Sequence, residues 1–142
     1  MYKALFALLF VATTQASAQM TPVGLWRSID DQTGKAKAEI RITADTAGVL
    51  TGVVEKVLTA EGPPNCDLCT DDRKGKPKVG MEIIRGAKKA EAKEVWEEGK
   101  ILDPENGKTY TLRLTPIEAG KKLEVRGSIA FFGRTQTWVR VQ

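Results

Sequence analysis

Histidine is absent from all 142 residues. It is the usual general base near neutral pH and the commonest protein metal ligand. Its absence removes the Ser-His-Asp and Cys-His nucleophile arrangements and the H-E-x-x-H zinc hydrolases. Any hydrolytic chemistry would fall to carboxylates or lysine. Cysteine is nearly absent too, with only Cys66 and Cys69. Zinc on that pair would need two further ligands, which leaves only carboxylates. The sequence therefore predicts no metal, no cofactor and no enzyme. Aromatic residues make up only 6% of the chain, and no basic stripe is interleaved with them. Single-stranded nucleic acid binding needs that pattern, so nucleic acid is not expected as a partner. No apolar run approaches the ~20 residues of a membrane-spanning helix, so no transmembrane segment is expected.

What the N-terminus does carry is a pattern for export. Lys3 provides a positive start, Leu5 to Ala12 a short apolar run, and Ala16-Ser17-Ala18 a small-x-small cleavage site. Residues 1–18 are expected to be a signal peptide. Residues 19–142 then form one mature domain beginning at Gln19, periplasmic or secreted. Without Lys3, 21 basic and 18 acidic residues remain, a net charge near +3. That imbalance favours anionic envelope surfaces without requiring them.

Beyond Gln19 the pattern is β. Turn signals recur at Asp31-Gln32-Thr33-Gly34, Asp45-Thr46-Ala47-Gly48, Asp103-Pro104-Glu105-Asn106-Gly107 and Glu118-Ala119-Gly120. Between them the sequence predicts strands over 24–29, 36–43, 48–58, 79–85, 94–97, 109–115, 122–130 and 134–141. Ile40 and Ile42 alternate with Glu39 and Arg41; Tyr110, Leu112 and Leu114 with Thr111, Arg113 and Thr115; Leu123, Val125, Gly127 and Ile129 with Glu124, Arg126 and Ser128. Such alternation gives each strand one buried and one wet face. Gly52 and Gly127 fall mid-strand, where glycine permits a sharp bend. The expected fold is all-β, an eight-stranded antiparallel meander barrel, with an open sandwich as the alternative. A barrel of eight strands is filled by side chains or holds one small ligand. The short chain favours a filled interior. Residues 59–78 read as a long loop, and 87–93 as a connecting turn.

Gly24-Leu25-Trp26 near the start and Trp138-Val139-Arg140 near the end suggest a closure. In lipocalin-like barrels a first-strand tryptophan closes one end under an arginine. Gly24, Trp26, Trp138 and Arg140 are the candidate closing residues, with Arg134 as an alternative to Arg140. A guanidinium over an indole contributes about 0.5–2 kcal/mol.

Cys66-Asp67-Leu68-Cys69 has redox spacing, but no amphipathic helix follows it and the nearby aspartates disfavour a thiolate. A disulfide clip on a turn is expected, with thiol redox work and metal binding as the alternatives. Closing so short a loop stabilises by roughly 2 kcal/mol. Arg73-Lys74-Gly75-Lys76-Pro77-Lys78 reads as a solvated basic loop or as a grip for an anionic headgroup. Glu97 and Glu98 are adjacent on a strand and cannot form an acid/base pair without a bulge.

The chain resembles a family of secreted bacterial proteins known as domain of unknown function 2147. The resemblance rests on Pro22-Val23-Gly24-Leu25-Trp26-Arg27, Ile29-Asp30-Asp31, Thr33-Gly34-Lys35, the two cysteines, Lys74-Gly75-Lys76-Pro77 and Gly80-Met81-Glu82-Ile83. It continues through 101–110 and Phe132-Gly133-Arg134-Thr135-Gln136-Thr137-Trp138. It implies a lipocalin-like fold and carries no catalytic residues. The expected function is binding of a small apolar or amphipathic ligand in the barrel mouth, with Trp96, Phe131 and Phe132 as candidate lining residues. The alternatives are a filled barrel that serves as a protein–protein interaction module of the envelope, and a CxxC thiol redox protein.

Overall fold

The computed structural model describes residues 20–59 and 62–142; the expected signal segment and Gln19 lie outside them. Alternating side chains roll the chain into a closed barrel in which every strand pairs with its sequence neighbour and β8 returns to β1. The strands are β1 (Gly24–Ile29), β2 (Ala36–Ala44), β3 (Leu50–Val57), β4 (Glu82–Lys89), β5 (Trp96–Leu102), β6 (Thr109–Ile117), β7 (Lys122–Ile129) and β8 (Phe132–Arg140). A single 3-10 turn, Glu118–Gly120, joins β6 to β7. The seam pairs Trp26 with Arg140 and Arg27 with Val139. Closure leaves no unpaired sheet edge.

Two strands differ from the sequence expectation. β4 begins at Glu82 and continues through Lys89, and β5 runs from Trp96 to Leu102. Residues 87–89 therefore belong to a strand, because Lys88 and Lys89 pair with Glu97 and Trp96. In β5, Gly99 is a point of close approach: a Cβ there would come 2.7 Å from the Ala87 backbone nitrogen. One extra residue also bulges β5 between Trp96 and Gly99, with Glu98 at φ 66°. The bulge does not make a carboxylate pair, because Glu97 is held by Arg113 at 3.3 Å.

The strand ends divide the barrel into two faces. The start of β1, the end of β8 and the β2–β3, β4–β5 and β6–β7 connections share one end. The β1–β2, β5–β6 and β7–β8 turns share the other with the long β3–β4 loop. The β3–β4 loop folds on itself. Asn65 bridges Pro77, the Cys66 amide donates to the Lys76 carbonyl at 2.8 Å, and the Lys78 amide donates to the Pro64 carbonyl at 2.9 Å. Cys66 and Cys69 form a disulfide with Cα atoms 5.5 Å apart. Both sulfur-bearing residues are buried in the core beside Met81 and Ile83. The loop also seats on the β5–β6 turn, where a Cβ on Gly107 would collide with the Leu68 carbonyl.

Candidate ligand-binding site

One end of the barrel is plugged. Trp26 is fully buried, and its indole nitrogen donates to the Pro22 carbonyl at 2.7 Å. The Arg140 guanidinium lies 4.2 Å from the ring centroid. It donates to the carbonyl oxygens of Gly120 at 2.6 Å, Thr21 at 2.6 Å, Val23 at 2.9 Å and, more weakly, Gln142 at 3.4 Å. Burial pushes the Arg140 pKa down from its ordinary value, and the carbonyl ring supplies the negative potential that keeps the charge in place. Gly24 has no substitute here. Its φ is 143°, and a Cβ would run into the Arg140 guanidinium and the Gln142 carbonyl. Beneath the plug, Ile42, Leu112 and Leu114 fill the interior.

The other end is hollow. A cavity of about 380 Å³ opens there, within the usual range for small-ligand pockets. Ile40, Val54, Ile83, Ile101, Val125 and Trp138 form its apolar wall and floor, and Tyr110 and Gln136 stand higher. The filled interior expected from chain length holds for one half only. The inward aliphatics divide: Ile40 and Val125 line the cup, whereas Ile42, Leu112 and Leu114 are buried in the core outside its lining. Ile129, at the tip of β7, is exposed.

The rim is charged, and its charges are committed. Asp30 accepts from the Gln32 and Thr33 amides at 2.9 and 2.8 Å. These bonds, the Thr33 amide foremost, lower its pKa. Asp103 accepts from the Glu105 amide at 2.9 Å. Glu105 meets Lys37 at 3.1 Å, an ion pair that joins opposite sides of the rim. Arg134 is bound to Asp31, whose pKa it lowers chiefly through that hydrogen bond.

The basic run of the β3–β4 loop splits into three kinds of residue. Lys74 and Lys76 face solvent. Arg73 turns inward, donates to the Glu82 carbonyl at 2.8 Å and clasps Asp71, whose pKa falls to about 2 through that hydrogen bond. Lys78 turns into the cup wall and is only 6% exposed. Of the run, Lys78 lines the cup with no hydrogen bond or ion pair on its ammonium among the described residues.

The sequence candidates separate in space. Gly24, Trp26 and Arg140 meet at the plug. Trp138 lies toward the hollow end, where its indole lines the cup floor and donates to Gln136 at 3.0 Å. Arg134, the alternative to Arg140, sits on the rim. Trp96 starts β5 at the plugged end, buried in the core under Lys89 at 5.8 Å, outside the cup lining. Phe131 and Phe132 do occupy the hollow end but project from the β7–β8 turn into solvent, 102% and 82% exposed, and line nothing. The apolar size of an aromatic side chain does not report its depth in the barrel or its side of the sheet. Lys78 carried a usable signal, since it directly precedes the Val79-Gly80 turn into β4, but the basic run around it suggested solvent.

A closed eight-stranded meander with a plugged base and an open apolar cup defines a lipocalin-like protein. The solved structure of protein HP1028 from Helicobacter pylori, described as belonging to the lipocalin family, superimposes with a TM-score of 0.71 at 17% sequence identity. The match covers 84% of this chain and 82% of that one. No curated protein matches by sequence. The family model described as an uncharacterised protein conserved in bacteria, DUF2147, matches residues 24–140, and the chain belongs to that family.

Proposed function

We propose that this is an exported, non-catalytic binding protein that takes one small amphipathic molecule into the cup, apolar part down. The observation that carries the reading is the 380 Å³ apolar hollow at one end of an otherwise filled barrel. Apolar surface left open in this way gains free energy when an apolar guest covers it. The kinship in fold to a protein described as a lipocalin supports the same reading. The disulfide and the export-type pattern of residues 1–18 fit a periplasmic or secreted site of action. Burial of both cysteines supports a clip over a redox pair, because exchange requires an accessible thiolate.

Titration with the neutral dye N-phenyl-1-naphthylamine tests the reading. Saturable binding of one dye per chain is expected, with at least a tenfold loss in Ala38→Trp, which places an indole in the cup wall. Dye binding that is absent, or indifferent to Ala38→Trp, overturns it.

A second reading, docking onto the envelope, draws on Phe131 and Phe132. They stand exposed at the hollow end on a two-residue turn, with Ala130 held at φ 51°. Exposed paired aromatics at a turn tip suit a lipid interface. Sedimentation with phosphatidylglycerol vesicles that is lost in the Phe131→Ser, Phe132→Ser variant supports it; sedimentation equal in both, or absent in both, refutes it.

A further inference from the structure

We infer that Lys78 is the receptor for an anionic headgroup, so that the guest of the cup is an amphipathic carboxylate or phosphate monoester. The inference rests on the cup being a ligand site, and it names the chemistry of the ligand.

Lys78 lines the cavity and is 6% exposed; among the described residues no hydrogen bond or ion pair engages its ammonium group, whose nitrogen is not sealed from solvent. Most of its stem is taken from water, and an anionic guest would replace water at the ammonium with a charge-assisted hydrogen bond. The neighbouring charges do not supply one. Asp30 and Asp103 are held within their own turns, Glu105 by Lys37, and Asp31 by Arg134. Asp71 belongs to Arg73 and Asp72 to Arg85. The ammonium is also not there to hold the loop, whose folding is secured by backbone bonds at Pro64 and Cys66 and by the disulfide. Its ammonium lies beside Gly62, where a Cβ would make an ordinary contact 3.5 Å from the nitrogen. The chain therefore places this cation in the wall of an apolar hollow and leaves its donors for something else. A single ammonium at the side of an apolar cup matches a ligand with one terminal anion and an apolar body. Tyr110 and Gln136, also lining the cup, offer polar atoms on the far wall.

The test compares four probes of one chain length by calorimetric titration of the purified protein: decanoate, decyl phosphate, decan-1-ol and decylammonium. The expected order places at least one anion tenfold or more above the alcohol, and decylammonium below it. Lys78→Met is expected to erase the advantage of the anion while leaving decan-1-ol unchanged or tighter, and Lys78→Arg to retain the advantage. The preferred anion distinguishes a carboxylate from a phosphate source. Decan-1-ol and both anions binding equally, with no change in Lys78→Met, overturns the headgroup assignment and leaves the cup standing. If none of the four binds, the cup itself is refuted. A Lys78→Met chain that still binds decan-1-ol is folded by that measure, and a chain that binds nothing is judged on Lys78→Arg, where loss of the anion preference refutes the assignment.

Discussion

Arg140 and Lys78 are both cations turned toward the barrel interior, one at each end. Arg140 lies over Trp26 and gives its donors to backbone carbonyls. Lys78 lies in an apolar wall with no partner among the described residues. The first arrangement is self-sufficient and holds the segment before β1, the C-terminal residues, the β6–β7 turn and the seam together. The second is incomplete as it stands. An inward charge that the fold satisfies acts as a fastening, whereas one that the fold leaves unsatisfied marks the place where an outside group completes the structure.

Breaking the fastening gives the largest effects. Trp26→Ala removes the fully buried plug and should cost about 3–5 kcal/mol by urea denaturation. Arg140→Met strands several carbonyls and should cost about 3 kcal/mol by the same measurement. The double variant Cys66→Ser, Cys69→Ser should cost roughly 2 kcal/mol. Its hydrogen exchange should rise in residues 62–81 and stay unchanged in β6 and β7, because the clip holds only the loop.

Lys78→Met sharpens the comparison by its sign. Replacing a lysine whose stem is buried and whose ammonium meets only solvent by an apolar side chain of similar length should leave stability unchanged or raise it by about 1 kcal/mol. A loss comparable to that of Arg140→Met would make Lys78 a structural cation. The smallest effect is in acid. Asp71 has its pKa depressed from 3.8 to about 2 by the Arg73 hydrogen bond. Its contribution is thus present above pH 3.8 and is lost as pH falls toward 2. Asp71 is 39% exposed, so solvent screening keeps that contribution small. Protection of the loop amides, taken relative to the intrinsic exchange rate at each pH, should fall below pH 3.8 in the native chain and show no such step in Asp71→Asn.

The barrel was legible because period-two alternation in residues such as Ile40, Ile42, Leu112 and Leu114 is a local signal, and each turn announces itself with Gly, Asn or Asp. β5 was legible only in part. Gly99 stands for a close approach by Ala87, a fact about a neighbouring strand that no local pattern carries. Depth in the barrel was not legible at all. Val125 lines the hollow while Leu114, its direct partner across the β6–β7 hairpin, does not, and that difference depends on how the other strands close around the pair. The same holds for Lys78, whose inward turn follows from the Asn65–Pro77 bridge, while the bases beside it point outward.

The central claim is that the interior is plugged at one end and receptive at the other. The three tryptophan indole N–H signals in a nitrogen-15 correlation spectrum report both ends at once. On titration with decan-1-ol the Trp138 signal, from the cup floor, should shift saturably while those of Trp26 and Trp96 stay fixed. A Trp138 signal that does not move, or one that moves no more than that of Trp26, would contradict the claim.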